Sequence, residues 1–325
     1  MIAQPPSPRL RRPGAAAAWR PTQFLSVLDL APGELETCLD LAASMKVARH
    51  GGRAHQTPLT GRHVAMLFDK PSLRTKSTFV IAVRELGGDV IEPPPEVAMG
   101  GRETIEDVAR NLERWVFGVV VRTFAQERLE RFAAAAPGLR VVNALTNEEH
   151  PCQALADCQT LVERWGSLRD RTIAFVGDGN NVAASLAQAA AMLGGTVIVA
   201  SPPGFELPPA VRASVARVAR FGGGVQVTND PVDAVSRAGA VYTDVWASMG
   251  QESEAAARDE VFRPYQVNAA LMAQAPSDAV FMHCLPAHRG DEVTDEVMDS
   301  AASIVFDQSE NRLHAQKALL ALLAT

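Results

Sequence analysis

Between Phe68 and Phe79 the chain reads Phe-Asp-Lys-Pro-Ser-Leu-Arg-Thr-Lys-Ser-Thr-Phe, which gathers cationic and hydroxyl side chains into a short span. Ser72 is a favoured N-cap residue, so Arg74 and Thr75 fall in the first turn of the helix that follows. Backbone N–H groups in that turn lack partners, and the helix dipole is positive there. Together with the cations and hydroxyls they suit a small, doubly charged anion such as phosphate. Taken alone, the stretch also reads as a capped helix start with solvated basic residues.

Three further groups stand where strands end or helices begin. Arg122 closes the apolar run that starts at Gly118. His150 and Gln153 lie one helical turn apart and share a face. Asp244 with Ser248-Met249-Gly250, and His283-Cys284-Leu285-Pro286, each follow an apolar run further on. Each signal is weak alone, since a lone Arg is often a structural ion pair and a lone His often a cap. Their joint placement around one cleft is what carries weight.

The elements that must position these residues follow from periodicity. His63 to Phe68 is an apolar run of strand length, and Phe79, Val83 and Leu86 recur at helical spacing until Gly87-Gly88. Residues 24–50 read as one amphipathic helix with Pro32 in its first turn. Residues 89–102, rich in proline and glycine, read as a mobile loop. A helix is predicted from Ile105 to Trp115, a buried strand from Gly118 to Arg122, a helix near Glu127–Ala136 and a strand at Val141–Asn143. Pro151 opens a helix that runs through Leu161 towards Trp165 and bridges to a second unit. The pattern then restarts with strand Ile173–Val176, the turn Gly177-Asp178-Gly179-Asn180-Asn181, helix Val182–Leu193 and strand Val197–Ala200. Further units follow at Val211–Ala219, Val225–Val227, Val241–Thr243 and Val280–Leu285, and the last helix spans Ala315–Leu323. This alternation predicts an α/β chain of two doubly wound parallel-sheet domains, with the active site in the interdomain cleft at the strands' carboxyl ends. The predicted boundaries are a disordered extension over 1–22, a first domain over 23–156 completed by the C-terminal helix 309–325, and a second domain over 157–308.

At 325 residues and a formal charge of -6, the chain has room for two cores. Its charge argues against a nucleic-acid binder held by bulk electrostatics. The four cysteines, Cys38, Cys152, Cys158 and Cys284, are too widely spaced for a CxxC metal or redox motif and read as reduced thiols in a cytoplasmic protein. No metal and no cofactor is expected, and no apolar run reaches membrane-spanning length. The first 22 residues carry four arginines, five prolines and no acid, a composition that does not pack.

Ser72-Leu73-Arg74-Thr75, His150-Pro151-Cys152-Gln153, Asp244 with Ser248-Met249-Gly250, and His283-Cys284-Leu285-Pro286 together resemble the signatures of the ornithine carbamoyltransferases. The first two motifs are shared with the aspartate carbamoyltransferases; the last two single out the ornithine enzymes. The resemblance covers residue 23 to the end. It implies transfer of the carbamoyl group of carbamoyl phosphate to the side-chain amine of L-ornithine, giving L-citrulline and phosphate without a covalent intermediate. It also implies a homotrimer. By the resemblance, Ser72, Leu73, Arg74 and Thr75 wrap the phosphate, while Arg122, His150 and Gln153 hold the carbamoyl end and Arg312 closes that site. Asn181, Asp244, Ser248 and Met249 hold the amino acid head of ornithine. Cys284 and Leu285 meet the reacting amine beside the carbamoyl phosphate. Arg74, Arg122, His150 and Cys284 are the implied catalytic residues.

The sequence departs from the family pattern at Leu73, where Thr is usual, at Lys76 for Arg, at Val80 for Glu, and at Ala98, where bacterial relatives often carry a Gln that reaches a neighbouring subunit. All four fall on the carbamoyl phosphate side, so weaker binding of that substrate than the family norm is expected. Three rival readings stand beside this one. The Gly177–Asn181 turn could belong to a dinucleotide-binding dehydrogenase, although the acidic residue expected about 20 positions on is missing. A carbamoyltransferase for putrescine is closer, but Asp244 and Ser-Met-Gly suit an acceptor with an amino acid head. The third is a non-catalytic relative.

Overall fold

A computed structural model of the chain describes residues 19–53, 56–94, 101–247 and 255–325. The expectations for residues 1–18, for Ala98 and for Ser248 and Met249 therefore lie outside the described residues.

Apolar runs too short for helices, most of them buried on both faces, supply the central strands of two parallel sheets. The first contains β1 (His63–Phe68), β2 (Asp89–Ile91), β3 (Gly118–Arg122) and β4 (Arg140–Leu145), in the order β2-β1-β3-β4. Its helices are α1 (Pro32–His50), α2 (Leu73–Glu85), α3 (Ile105–Trp115) and α4 (Gln126–Ala135). Alternate strand residues enter different cores, as the strand period of two requires. Ala65, Leu67, Val119 and Val121 pack with α3 and α4, whereas Val64, Met66 and Val120 face α1 and α2.

α5 (Pro151–Trp165) leads to the second sheet, made of β5 (Thr172–Val176), β6 (Thr196–Ala200), β7 (Gly224–Thr228), β8 (Ala240–Thr243) and β9 (Val280–His283), in the order β7-β6-β5-β8-β9. Between the strands come α6 (Asn181–Met192), α7 (Pro209–Val218), α8 (Pro231–Ser236), α9 (Ala255–Phe262) and α10 (Ala269–Met272). α11 (Asp295–Met298) and α12 (Val305–Leu323) end the chain. α6 is alanine-rich and buried along its whole length, which lets α5 approach it closely. Through α5, α6 and α12 one apolar core runs unbroken from the first sheet to the second.

Both sheets reverse their strand order, between β1 and β3 in the first and between β5 and β8 in the second. Register is flush at those points: Phe68 lies opposite Arg122, Val176 opposite Thr243, and Thr243 opposite His283. The loops after β1, β3, β5, β8 and β9 therefore open at the strands' carboxyl ends, where open α/β sheets bind ligands.

The predicted α/β architecture is the one observed, with local differences that include four short helices, α8 to α11, not predicted from the sequence. The helix predicted over 24–50 begins only at Pro32. Ahead of it Phe24 joins the edge of β4, accepting from Asn143 N and donating to Val141 O, and the Ser26–Asp29 capping box closes a separate turn. Within 89–102, Asp89–Ile91 is a strand beside β1 and not loop; three residues, only one of them half-buried, leave no apolar run to read. α12 starts at Val305, ten residues before the apolar stripe that marks it. Its first half buries Gln308, Asn311 and Arg312, which a hydrophobic pattern does not register.

Candidate active site

The site begins at the start of α2. Ser72 Oγ caps the helix by accepting from Thr75 N at 3.3 Å. Leu73 is 76 % exposed, so its side chain is not held in a core and its backbone is the part that the helix start fixes in place. The amides of Leu73 and Arg74 belong to a first turn that has no intrahelical acceptor, and both residues line the cavity. Thr75 is buried, and its Oγ1 accepts from Arg312 Nη2 at 2.8 Å. The other arm of Arg312 donates to Gln153 Oε1 at 2.7 Å.

Gln153 is spent on these contacts. Its amide nitrogen donates to Asp157 Oδ1 at 2.7 Å, and Asp157 also accepts from Gln308 and from the Tyr242 hydroxyl. Of the carbamoyl-side residues singled out in the sequence, Gln153 alone stands behind the cavity wall, where it aims Arg312. Burial raises the Asp157 carboxyl to about 7.

Arg122 and His150 enter from the ends of β3 and at the N-cap of α5. Burial, with the positive charges of Arg312 and Arg74 added, lowers the Arg122 guanidinium to about 10. The same burial, reinforced by Arg312 and Arg122, holds His150 well below the ordinary histidine range, so its imidazole is neutral. A neutral imidazole beside a charged guanidinium offers a hydrogen-bond donor without adding a further cation.

The opposite wall comes from the second sheet. Asp244, the residue after β8, accepts from Cys284 Sγ at 2.9 Å and from Asn180 Nδ2 at 2.9 Å. Burial and this carboxylate push the Cys284 thiol far above its ordinary range, so it remains protonated. Leu285 follows with φ 60, a left-handed conformation costly for a branched residue and characteristic of functional sites. Its amide donates to His283 Nδ1 at 2.9 Å. Asn181 donates to Thr146 O at 2.6 Å, tying the start of α6 to the loop before α5.

These walls enclose a cleft of about 820 Å³ between the two sheets. Ser72, Leu73, Arg74, Thr75, Arg122 and His150 line one side; Asn181, Asp244, Cys284 and Leu285 line the other; Arg312 lines it too. The cleft also holds Lys70, buried, donating to Asn147 Oδ1 at 2.9 Å with its ammonium 4.2 Å from the Phe124 ring. Sequence reasoning passed over Lys70 and Asn180. Lys70 carried a signal, two residues before the N-cap; Asn180 could have been found as the preferred N-cap of α6. An Asp178–Arg258 ion pair of 2.8 Å also lines the cleft.

The Gly177–Asn181 turn is closed to a dinucleotide. Gly179 N donates to Phe205 O at 2.8 Å, and a Cβ on Gly179 would stand 2.4 Å from Leu207 N. Asn180 Oδ1 already takes the amides of Val182 and Ala183 that a pyrophosphate needs. Asp244, His283 and Cys284 bring potential metal-ligand atoms within 4.8 Å of one another. His283, however, accepts from Leu285 N at Nδ1 and faces Glu292 at 3.1 Å with Nε2, so both ring nitrogens are engaged.

Comparison with known proteins gives the same outline. Residues 22–163 match the carbamoyl-P binding domain of aspartate/ornithine carbamoyltransferases, and residues 169–323 match the Asp/Orn binding domain. Ornithine carbamoyltransferase from Parafrankia sp. is 49% identical over 302 residues, covering 92% of this chain and 95% of that protein. The one from Thermococcus kodakarensis is 47% identical over 301 residues, with 92% and 95% covered. The solved ornithine carbamoyltransferase of Pyrococcus furiosus superposes with a TM-score of 0.90 at 44% identity, covering 95% of this chain and 98% of that one. The Gloeobacter violaceus structure gives 0.83 at 43%, with 95% and 100% covered. With two sheets meeting at a cation-rich cleft and nearly the whole length matched, the chain belongs to the aspartate/ornithine carbamoyltransferase family.

Proposed function

We propose that this chain is an ornithine carbamoyltransferase, moving the carbamoyl group of carbamoyl phosphate onto the side-chain amine of L-ornithine. The neutral amine attacks the carbonyl carbon, a C–N bond forms, and the C–O bond to phosphate breaks. The products are L-citrulline and phosphate, and the proton lost by the amine balances the one the phosphate gains. Ser72, Leu73, Arg74 and Thr75 take the phosphate at the start of α2, where charge grows as the bond breaks. Arg122, His150 and Arg312 face the carbonyl, and each donor of this kind contributes about 2.7–4 kcal/mol in comparable sites. Gln153 acts through Arg312 as a positioning residue. On the far wall Asp244 balances the α-ammonium of ornithine, and Asn181, Ser248 and Met249 complete the recognition of its head. Cys284 and Leu285 orient the reacting amine; a thiol held protonated is a poor nucleophile, which favours direct transfer.

The observation that carries this reading is the polarity of the cleft: arginines and a helix start on one wall, the Asp244 carboxylate on the other. A panel of ornithine, putrescine, lysine and acetylornithine with carbamoyl phosphate tests it. Ornithine should be turned over at least about 100-fold better than putrescine, which lacks the charged head that Asp244 pairs with. Equal turnover of putrescine, or no citrulline at all, overturns the assignment. We further propose a homotrimer acting in the cytoplasm; no described helix is long and apolar enough to cross a membrane.

A further inference from the structure

We propose that His50, Glu310 and His314 form a binding site for a divalent transition-metal ion of the Zn2+ class, on the outer face of the first lobe away from the cleft. Glu310 and His314 are one turn apart on α12, so their side chains share a face. His50 is the last residue of α1, which packs along α12. Its Nε2 lies 2.7 Å from Glu310 Oε1, and His314 Nε2 lies 3.4 Å from the same oxygen. All three ligand atoms fall within 4.8 Å of one another. Zinc bonds of roughly 2.0–2.2 Å place tetrahedral ligand atoms about 3.3 Å apart, so small side-chain movements suffice.

The donor set suits the ion, because imidazole and carboxylate favour zinc and its neighbours over calcium or magnesium. This cluster differs from Asp244, His283 and Cys284 in one respect: the His314 ring has no second commitment, and its buried Nδ1 finds no partner. His314 is buried, Glu310 35 % exposed and His50 56 % exposed, so the ion has an entry path and room for water as a fourth ligand. Lys46 Nζ stands 4.0 Å from Glu310 Oε2 but is bonded to Glu163 and Asn311, at 2.9 and 2.8 Å. It competes for the outer oxygen and leaves Oε1 to the metal.

Calorimetric titration of the chelator-stripped protein with ZnCl2 tests the site, with Co2+ absorption as a second readout. The wild type should bind one equivalent that His50→Ala and Glu310→Gln weaken at least about 10-fold and that Cys284→Ser retains. Zn2+ should also raise the melting temperature of the wild type and not of His50→Ala, since the ion ties α1 to α12. His50 is exposed at a helix end, so its loss leaves the fold in place. Unchanged zinc binding in His50→Ala, or binding lost only in Cys284→Ser, overturns the proposal.

Discussion

In the proposed function, Arg74 is the residue on which the phosphate side of the cleft turns. It sits in the first turn of α2, half-buried, lines the cavity and belongs to none of the apolar cores. In that proposal, removing it takes away charge that matters most when phosphate departs. Arg74→Ala should therefore lower kcat by about 100- to 1,000-fold while the melting temperature stays within a degree or two, as measured by citrulline formation and calorimetry. A variant that keeps most of its rate removes Arg74 from the mechanism. Leu73 and Lys76 show how departures from a family pattern are absorbed. The exposed Leu73 side chain leaves its amide at the cavity wall, and Lys76 pairs with Glu92 at 2.6 Å. Val80 packs partly buried against the core. The Ser72–Thr75 motif was legible in the sequence because capping chemistry and helical spacing are local. Gln153 was singled out as well, but its hold on Arg312 was not legible, because that partner lies 159 positions away.

At the scale of elements, α5 and α12 form a polar spine inside an otherwise apolar core. Thr75, Arg312, Gln153, Asp157 and Gln308 are linked by hydrogen bonds of 2.7–2.8 Å. Asp157 makes this spine sensitive to pH. Burial raises its carboxyl from 3.8 to about 7, so the folded chain holds a proton that the unfolded chain has released. The resulting stabilisation is present below the unfolded value and is lost as pH rises through about 7. Asp157→Asn cannot titrate and keeps an acceptor for both glutamines. Its melting temperature should fall less than that of the wild type between pH 5 and pH 8; an equal fall shows that the spine does not titrate as described. Strands and helices with apolar periodicity were readable in order and nearly in length. β2 and the first half of α12 were not, because a three-residue edge strand and a helix face of Gln, Asn and Arg carry no apolar period.

For the whole molecule, the flush register at two switch points decides where chemistry happens, and it was the alternation of strand and helix that made this visible before any contact was known. The Asn180–Asp244 bond was not visible, since its partners lie 64 positions apart and meet only because β5 and β8 pair side by side. Assembly belongs to this scale as well. If the trimer proposed above forms, sedimentation should give three times the 34.7 kDa chain mass at micromolar concentration. A monomer at that concentration excludes it.

The place of α12 in the chain has an effect on biosynthesis. A ribosome releases the first lobe's strands and α1, α2 and α5 long before it has made Val305–Leu323, the segment that covers them and delivers Arg312 to Thr75. Until then the nascent lobe shows the apolar flank on which Leu319 and Leu320 later lie, a surface that invites chaperones or premature association. Synthesis must pass Arg312 before the Thr75 side of the cleft receives that guanidinium, so products interrupted earlier carry the Ser72–Thr75 motif without it.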